Sequence, residues 1–182
     1  MNKIQRDEFL QLNKHTPEKR LIITALFTAA AVAIYILESF IPKPIPFMKL
    51  GLANIIPLIL IFNRNYRESI LVILAKIILG GFVTGSLLSP TTLLSLSGGI
   101  LAFIVMLTLF IIPLRFSIIG ISIAGAVSHN IGQLLMVRVI LIKENEIFYL
   151  TPLLITLGMI TGVITGYIAY LLANKLKMAG VK

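Results

Sequence analysis

The chain has 182 residues, of which 58% are hydrophobic and only 13% charged, with a mean hydropathy of +1.01. Soluble domains carry about 25% charged residues, so this composition argues against a water-soluble globule, a disordered chain or a conventional soluble enzyme. Sixteen Lys and Arg stand against seven Asp and Glu, a formal net charge of +9, and the lack of Cys excludes disulfides, thiolate metal sites and lipoprotein-type anchoring.

In chain order, residues 1–20 form a polar leader, with Lys3, Arg6, Asp7, Glu8, Lys14, Glu18, Lys19 and Arg20. Six apolar runs follow: Leu21–Ile41, closed by Pro42-Lys43-Pro44-Ile45-Pro46; Phe47–Phe62, short and interrupted by Pro57; Ser69–Leu88; Thr91–Pro113; Phe116–Ile142; and Phe148–Ala173. A membrane-crossing helix needs roughly 20 mostly apolar residues, and the short alternating segments of a β-barrel are missing. The expectation is an all-α, polytopic membrane protein: a cytoplasmic leader over 1–20, a domain of six transmembrane helices over 21–173 and a cytoplasmic basic tail over 174–182. The first run is longer than the 7–15 residues of a signal-peptide core, so it reads as a retained span.

Lys and Arg concentrate on the cytoplasmic side of membrane proteins. With the N-terminus inside, the inner segments collect Lys3, Arg6, Lys14, Lys19, Arg20, Arg64, Arg67, Arg115, Lys175, Lys177 and Lys182, and the outer loops hold Lys43 and Lys143. Both termini are therefore expected in the cytoplasm, and most of the +9 is a topology signal rather than a nucleic-acid footprint.

Two helices carry small residues at four-residue spacing: Ala25, Ala29 and Ala33 in the first run, and Gly158, Gly162 and Gly166 in the sixth. Such stripes let helix backbones approach closely, and packing within the bundle is the plain reading, above all for the glycines. Gly80-Gly81 and Gly98-Gly99 flank a hydroxyl-rich connection containing Ser86, Ser89, Thr91, Thr92, Ser95 and Ser97. Those hydroxyls either satisfy helix ends or line an outward mouth.

Polar side chains inside the runs are more informative. A Lys or Arg at the centre of a span costs about 2.5–3.5 kcal/mol on insertion scales, so it usually faces the bundle or a wet cavity. Lys76 lies near the middle of the third run, Lys49 and Asn54 in the second, and His129, Asn130, Gln133 and Arg138 in the fifth. His129 and Gln133 are four apart and share a helix face; Asn130 and Arg138 share an adjacent one. On the expected topology all seven fall between mid-membrane and the outer surface, which describes a pocket for an anionic or strongly polar ligand. Internal pairing is the plainer alternative, with Glu38 neutralising Lys49 or Lys76, and Lys49 and Arg138 snorkelling to the interface. Asp7 is the one Asp in the chain, and no Walker loop, dinucleotide fingerprint or HExxH occurs.

Met48-Lys49-Leu50-Gly51-Leu52-Ala53-Asn54, Leu79-Gly80-Gly81 with Ser95-Leu96-Ser97-Gly98-Gly99, and Gly125-Ala126-Val127-Ser128-His129-Asn130-Ile131-Gly132-Gln133 resemble the Gx transporter family, also catalogued as heptaprenyl diphosphate synthase component I. The likeness runs over roughly residues 20–172. The family is related to the S-components of energy-coupling factor (ECF) transporters, six-helix proteins whose first helix meets a coupling subunit through small Ala residues; Ala25, Ala29 and Ala33 match that spacing. The resemblance implies an S-component-like fold in the bacterial cytoplasmic membrane. It implies capture from outside of an anionic or amphipathic small molecule (isoprenoid, quinone-related or flavin-like, with a link to extracellular electron transfer). Energy would come from an ECF coupling subunit and ATPases; the expected surroundings are membrane lipid, with no nucleic acid, no metal and no cofactor. The alternative implied by the family's second name is a noncatalytic membrane subunit of polyprenyl diphosphate or quinone synthesis. Prenyl diphosphate synthases hold magnesium on aspartate-rich motifs, which this sequence lacks, so the chain is not expected to be the enzyme itself.

Overall fold

The computed structural model of the protein describes residues 12, 15–42, 49–114, 116–142 and 145–179. Of the residues used above to set topology, Lys3, Arg6, Lys14, Lys43, Arg115, Lys143 and Lys182 lie outside the described residues, as do Met48 and Glu144. Every regular element among the described residues is helical: α1 Pro17–Ser39, α2 Ile55–Phe62, α3 Tyr66–Val83, α4 Pro90–Ile111, α5 Ile118–Ile140 and α6 Thr151–Ala179, with 3₁₀ turns at Leu52–Asn54 and Asn145–Leu150. Pro17 and Pro90 open α1 and α4 at positions where the missing N–H has no intrahelical partner to lose.

Four helical stretches are long and apolar enough to cross a membrane: Pro17–Ser39, Pro90–Ile111, Ile118–Ile140 and Glu146–Lys175. Helix α3 has 18 residues but carries Arg67, Glu68 and Lys76. The second run departs most from expectation. Instead of a span over Phe47–Phe62, Lys49 to Gly51 run as irregular backbone into the 3₁₀ turn, and only eight residues form α2. At 1.5 Å per residue α2 is about 12 Å long, well short of a ~30 Å hydrocarbon core. Its sequence IIPLILIF is apolar on all sides because seven of its eight residues are buried, the pattern of a helix enclosed by protein rather than one facing lipid on one side. Pro57 falls in its first turn, where backbone N–H groups lack intrahelical partners in any case.

Around α2 the principal core collects Ile55, Leu58, Ile59, Ile61, Ala102, Met106, Ile121 and Ala169. Phe110 stands edge-on to Phe62 and Tyr66, with ring centroids 5.2 Å and 6.2 Å apart. The glycine stripe of α6 packs on α5: a Cβ at Gly162 would lie 2.5 Å from the Ile123 Cα, and one at Gly158 2.9 Å from the Val127 Cα. Two polar bonds tie the same pair, Ser122 Oγ with Thr165 Oγ1 at 2.7 Å and Asn130 Nδ2 donating to the Leu154 carbonyl at 2.9 Å. Helices α4 and α5 cross equally closely, with Ser97 Oγ donating to the Gly132 carbonyl at 2.9 Å. Ala25, Ala29 and Ala33, by contrast, are exposed, together with Ile22, Leu26 and Leu37 on the same helix. An outer surface this rich in bare Leu, Ile and Phe fits a lipid solvent, so the chain is a multi-pass membrane protein.

Where α1 begins, Leu12 is buried among Ile56, Leu60 and Val72, and its amide donates to Asn65 Oδ1 at 3.1 Å. Arg20 on α1 pairs with Glu68 on α3 through both Nε and Nη2. The hydroxyls of the connection between α3 and α4 serve the backbone there: Thr92 Oγ1 and Ser89 Oγ both donate to the Ser86 carbonyl at 2.7 Å, and Thr84 Oγ1 to Gly80 at 2.8 Å.

Candidate functional site

At the far end of α1 from Arg20, the inward face is set by Ala31, Tyr35 and Glu38, spaced four and three residues apart and all buried. Glu38 faces the chain segment that precedes α2, and its Oε1 accepts the Gly51 N–H at 2.8 Å. Gly51 has φ +81, and a Cβ there would lie 3.0 Å from His129 Cδ2 and 3.2 Å from Asn54 Nδ2. Both the backbone conformation and the space therefore require glycine at this turn.

Gln133 of α5 grips the same segment from the opposite side. Its Oε1 accepts the Lys49 N–H at 2.9 Å and its Nε2 donates to the Lys49 carbonyl at 3.0 Å, a pairing that mimics a peptide group. This pair of bonds fixes which way the amide points. Nε2 therefore also donates to His129 Nε2, and the imidazole acts there as an acceptor. A neutral imidazole accepts on only one nitrogen, so Nδ1 carries the proton, and the 3.4 Å approach of Asn54 Nδ2 to it sets two donors side by side rather than making a hydrogen bond. Asn54 Oδ1 in turn accepts from Lys76 Nζ at 2.6 Å. The Lys49 ammonium lies 3.0 Å from the centroid of the Tyr35 ring, and the Tyr35 hydroxyl is 3.4 Å from Ser95 Oγ.

These side chains enclose a cavity lined by Tyr35, Glu38, Lys49, Gly51, Ala53, Lys76, Ile77, Ser95 and His129. Its volume is about 10 Å³, close to the minimum needed for one water, so a larger group enters only if side chains such as Lys49 move. Lys76 is 3% exposed and Glu38 1%. Among the described residues Lys76 Nζ has the neutral Asn54 amide as its acceptor, and no carboxylate lies within ion-pair distance of it. A buried ammonium held by a neutral amide beside a cavity that Lys49 and His129 also line is an arrangement suited to an anionic group.

Of the seven side chains singled out in the sequence, five lie together: Lys49, Gln133 and His129 are joined by hydrogen bonds, and the bonded pair Lys76 and Asn54 packs against them. Asn130 is turned toward α6, where it serves the Leu154 carbonyl, and the half-buried Arg138 does not line the cavity. Ser95, one of the hydroxyls that the sequence offers for helix ends or for a mouth, lines the cavity; the residues not foreseen are Tyr35 and the backbone-holding role of Glu38, which the sequence offers only as a counter-ion. The available signal was the spacing of Ala31, Tyr35 and Glu38, one α1 face opposite the alanine stripe. Among the described residues no group of His, Asp and Glu is placed to hold a metal ion.

Over residues 27–172 the chain matches the family model described as heptaprenyl diphosphate synthase component I, and it belongs to that family. The match spans Tyr35 to Gln133 and so contains the whole network. No curated protein and no solved structure matches the chain.

Proposed function

We propose that this chain is the substrate-capturing subunit of a membrane transporter, S-component-like in architecture, that binds an anionic or polar-headed small molecule at the Glu38 end of the bundle. The observation that carries the reading is Lys76: an ammonium buried in a membrane domain, bonded to a neutral amide and facing a cavity shared with Glu38, Lys49 and His129. In this reading the Glu38 end faces outside, both termini are in the cytoplasm of a bacterium, and the isoprenoid, quinone-related or flavin-like ligand enters over Lys49. An ECF-type coupling subunit approaches the exposed Ala25, Ala29 and Ala33, and partner ATPases supply the energy.

Uptake and binding in proteoliposomes test this directly. Lys76→Ala and His129→Ala are expected to abolish ligand binding, and unchanged uptake in both would remove the site from consideration. Mild-detergent purification is expected to recover a coupling subunit and ATPases; recovery of the chain alone would remove the ECF arrangement.

The family description supports a second reading, a noncatalytic membrane component of heptaprenyl diphosphate synthesis. Deleting the protein separates the two. Loss of synthase activity in extracts points to the biosynthetic component, whereas normal extract activity with quinone synthesis restored by supplying precursor inside the cell points to transport.

A further inference from the structure

Two glycine pairs stand on the helices that carry Lys76 and Ser95: Gly80-Gly81 on α3 and Gly98-Gly99 on α4. The two members of each pair meet different surroundings. For the second member these are ordinary packing atoms: a Cβ at Gly81 would lie 3.3 Å from the Leu87 Cα, and one at Gly99 3.1 Å from Ile73 Cγ2. The first member meets a ring that lines the cavity. A Cβ at Gly98 would lie 2.8 Å from His129 Nδ1, and one at Gly80 would overlap Tyr35 Cδ1 and lie 2.7 Å from its Cε1. Tyr35 and His129 line the cavity whereas Gly80 and Gly98 do not, so each glycine stands behind a wall of the site. Gly98 also lies against the His129 carbonyl, where a Cβ would come within 2.8 Å of backbone. Gly80 is the simpler case, because the three atoms nearest to a Cβ there all belong to the Tyr35 ring.

Gly80 lies one helical turn from Lys76 on the same face of α3, and both are buried. The Tyr35 side chain bridges three helices at this level. It is rooted on α1, packs against Gly80 on α3, and its hydroxyl reaches Ser95 Oγ on α4 at 3.4 Å. Ser95 Oγ itself donates to the Thr91 carbonyl at 2.8 Å, so the Tyr35 hydroxyl is the donor in that contact. In a close-packed interior an added methyl is accommodated only by moving the side chain or backbone it meets. A ring pushed off α3 moves toward the cavity, where only about 10 Å³ is left. Helix interiors disfavour glycine, and the recess for this ring supplies the reason for one at position 80. We propose that Gly80 is a specificity-determining position: by recessing the Tyr35 ring against α3 it sets how bulky an anionic group can reach Lys76. This rests on the reading of the Lys76 cavity as a ligand site and adds to it the residue that fixes its size. Gly80 itself touches no ligand and acts through Tyr35 as a positioning residue.

Methyl sulfate and phenyl sulfate make a suitable pair of probes, since they share a head group and a charge and differ in bulk. Titration into the purified full-length protein in detergent, followed by thermal stabilisation, gives a half-saturating concentration for each, and the melting temperature without probe reports folding separately. Gly80→Ala is expected to weaken methyl sulfate binding by about tenfold, the scale of one methyl forced into a packed site. In a Tyr35→Ala background, where no ring remains to be displaced, the cost of Gly80→Ala is expected to shrink to less than about twofold. Tyr35→Ala alone is expected to shift the ratio of the two affinities toward phenyl sulfate by about tenfold, because the phenyl group fills the space that the ring vacates. A folded Gly80→Ala protein with unchanged affinity overturns the inference, and so does an equal loss in both backgrounds, which a glycine needed only for helix packing would give. Should Gly80→Ala fail to fold, the Tyr35→Ala ratio still decides, because an unchanged ratio shows that the ring does not set the size of the site. Those outcomes, with binding that still depends on Lys76, leave the site reading intact. Binding of neither probe, or binding that Lys76→Met leaves unchanged, overturns the site reading and the inference together.

Discussion

Both ends of α1 fasten an irregular segment of chain to the bundle with buried polar side chains, yet they do so under different charge balances. At the Arg20 end, Asn65 holds the Leu12 amide and a buried carboxylate, Glu68, is paired with Arg20. At the Glu38 end, Gln133 and Glu38 hold Lys49 and Gly51, but among the described residues the deeply buried Lys76 is bonded to an amide rather than a carboxylate and borders a cavity. At the first end the polar groups named, Asn65, Arg20 and Glu68, serve the packing of α1 on α3 and the chain before it. At the second end, Lys76 is kept 3% exposed in a domain that could have used Met or Leu there. On the proposed function, that difference is the reason to look for the ligand at the Glu38 end.

The sharpest way to break that comparison is to remove one cation from each end. Arg20→Met leaves Glu68, 3% exposed, without its guanidinium, and is expected to cost about 3 kcal/mol, the low end for breaking a buried pair because Arg20 is partly exposed. Thermal or denaturant unfolding in detergent measures it, and the double variant with Glu68→Gln is expected to recover most of the loss. Lys76→Met removes a donor from a neutral amide instead, so its expected stability cost is only about 1 kcal/mol. Its effect falls on binding: affinity for a small anionic probe, methyl sulfate titrated into the purified protein in detergent, is expected to drop by about a hundredfold, the scale of a lost charge-assisted bond. Equal destabilisation by the two substitutions would mean that Lys76 is as structural as Arg20.

How much of this was legible in the sequence follows from the cost of polarity in apolar surroundings. Lys76, His129 and Gln133 stood out because nothing in a lipid-facing helix calls for them, and His129 and Gln133 at four-residue spacing are indeed bonded to each other. Asn130 escapes the network because its neighbouring position on the helix aims it at α6, about 100° around the axis from His129. Arg138, eight residues beyond Asn130, has turned a further ~80° and does not meet it. Glu38 was harder to read, since a carboxylate at the end of an apolar run ordinarily sits at the interface; only the three-dimensional return of Gly51 shows what it holds. The second run misled for a tertiary reason. Periodicity and composition cannot distinguish an apolar segment wrapped by protein from one wrapped by lipid, and α2 is enclosed on all sides. Pro57 and Gly51 were the local signs that the run was broken.

A finer test asks whether Gln133 matters as a clamp. Gln133→Ala strips partners from both the N–H and the carbonyl of Lys49, for an expected loss of about 2 kcal/mol. Methyl sulfate affinity is expected to fall by about tenfold, because Lys49 and His129 lose the amide that positions them. The counterpart at the other end, Asn65→Ala, is expected to cost about 1 kcal/mol through the single Leu12 bond and to leave anion affinity unchanged. Reduced affinity in Asn65→Ala would show that the two ends are coupled through α1.

The smallest expected effect concerns the opposite face of α1. Tyr35 and Glu38 look inward, whereas Ala25, Ala29 and Ala33 are exposed. Ala29→Leu adds a side chain where no neighbour within this chain is displaced, and leucine is tolerated about as well as alanine in a helix. Unfolding stability is therefore expected to shift by less than about 0.5 kcal/mol, with methyl sulfate affinity unaltered. If the alanine stripe is the seat of a coupling subunit, recovery of that partner on purification falls sharply in the same variant, because close backbone approach depends on small side chains. Unchanged recovery would place the partner elsewhere and leave α1 facing lipid. A loss of stability in the isolated chain would show instead that the stripe is packed against the bundle. One substitution thus separates the inward and outward faces of the helix that carries Glu38.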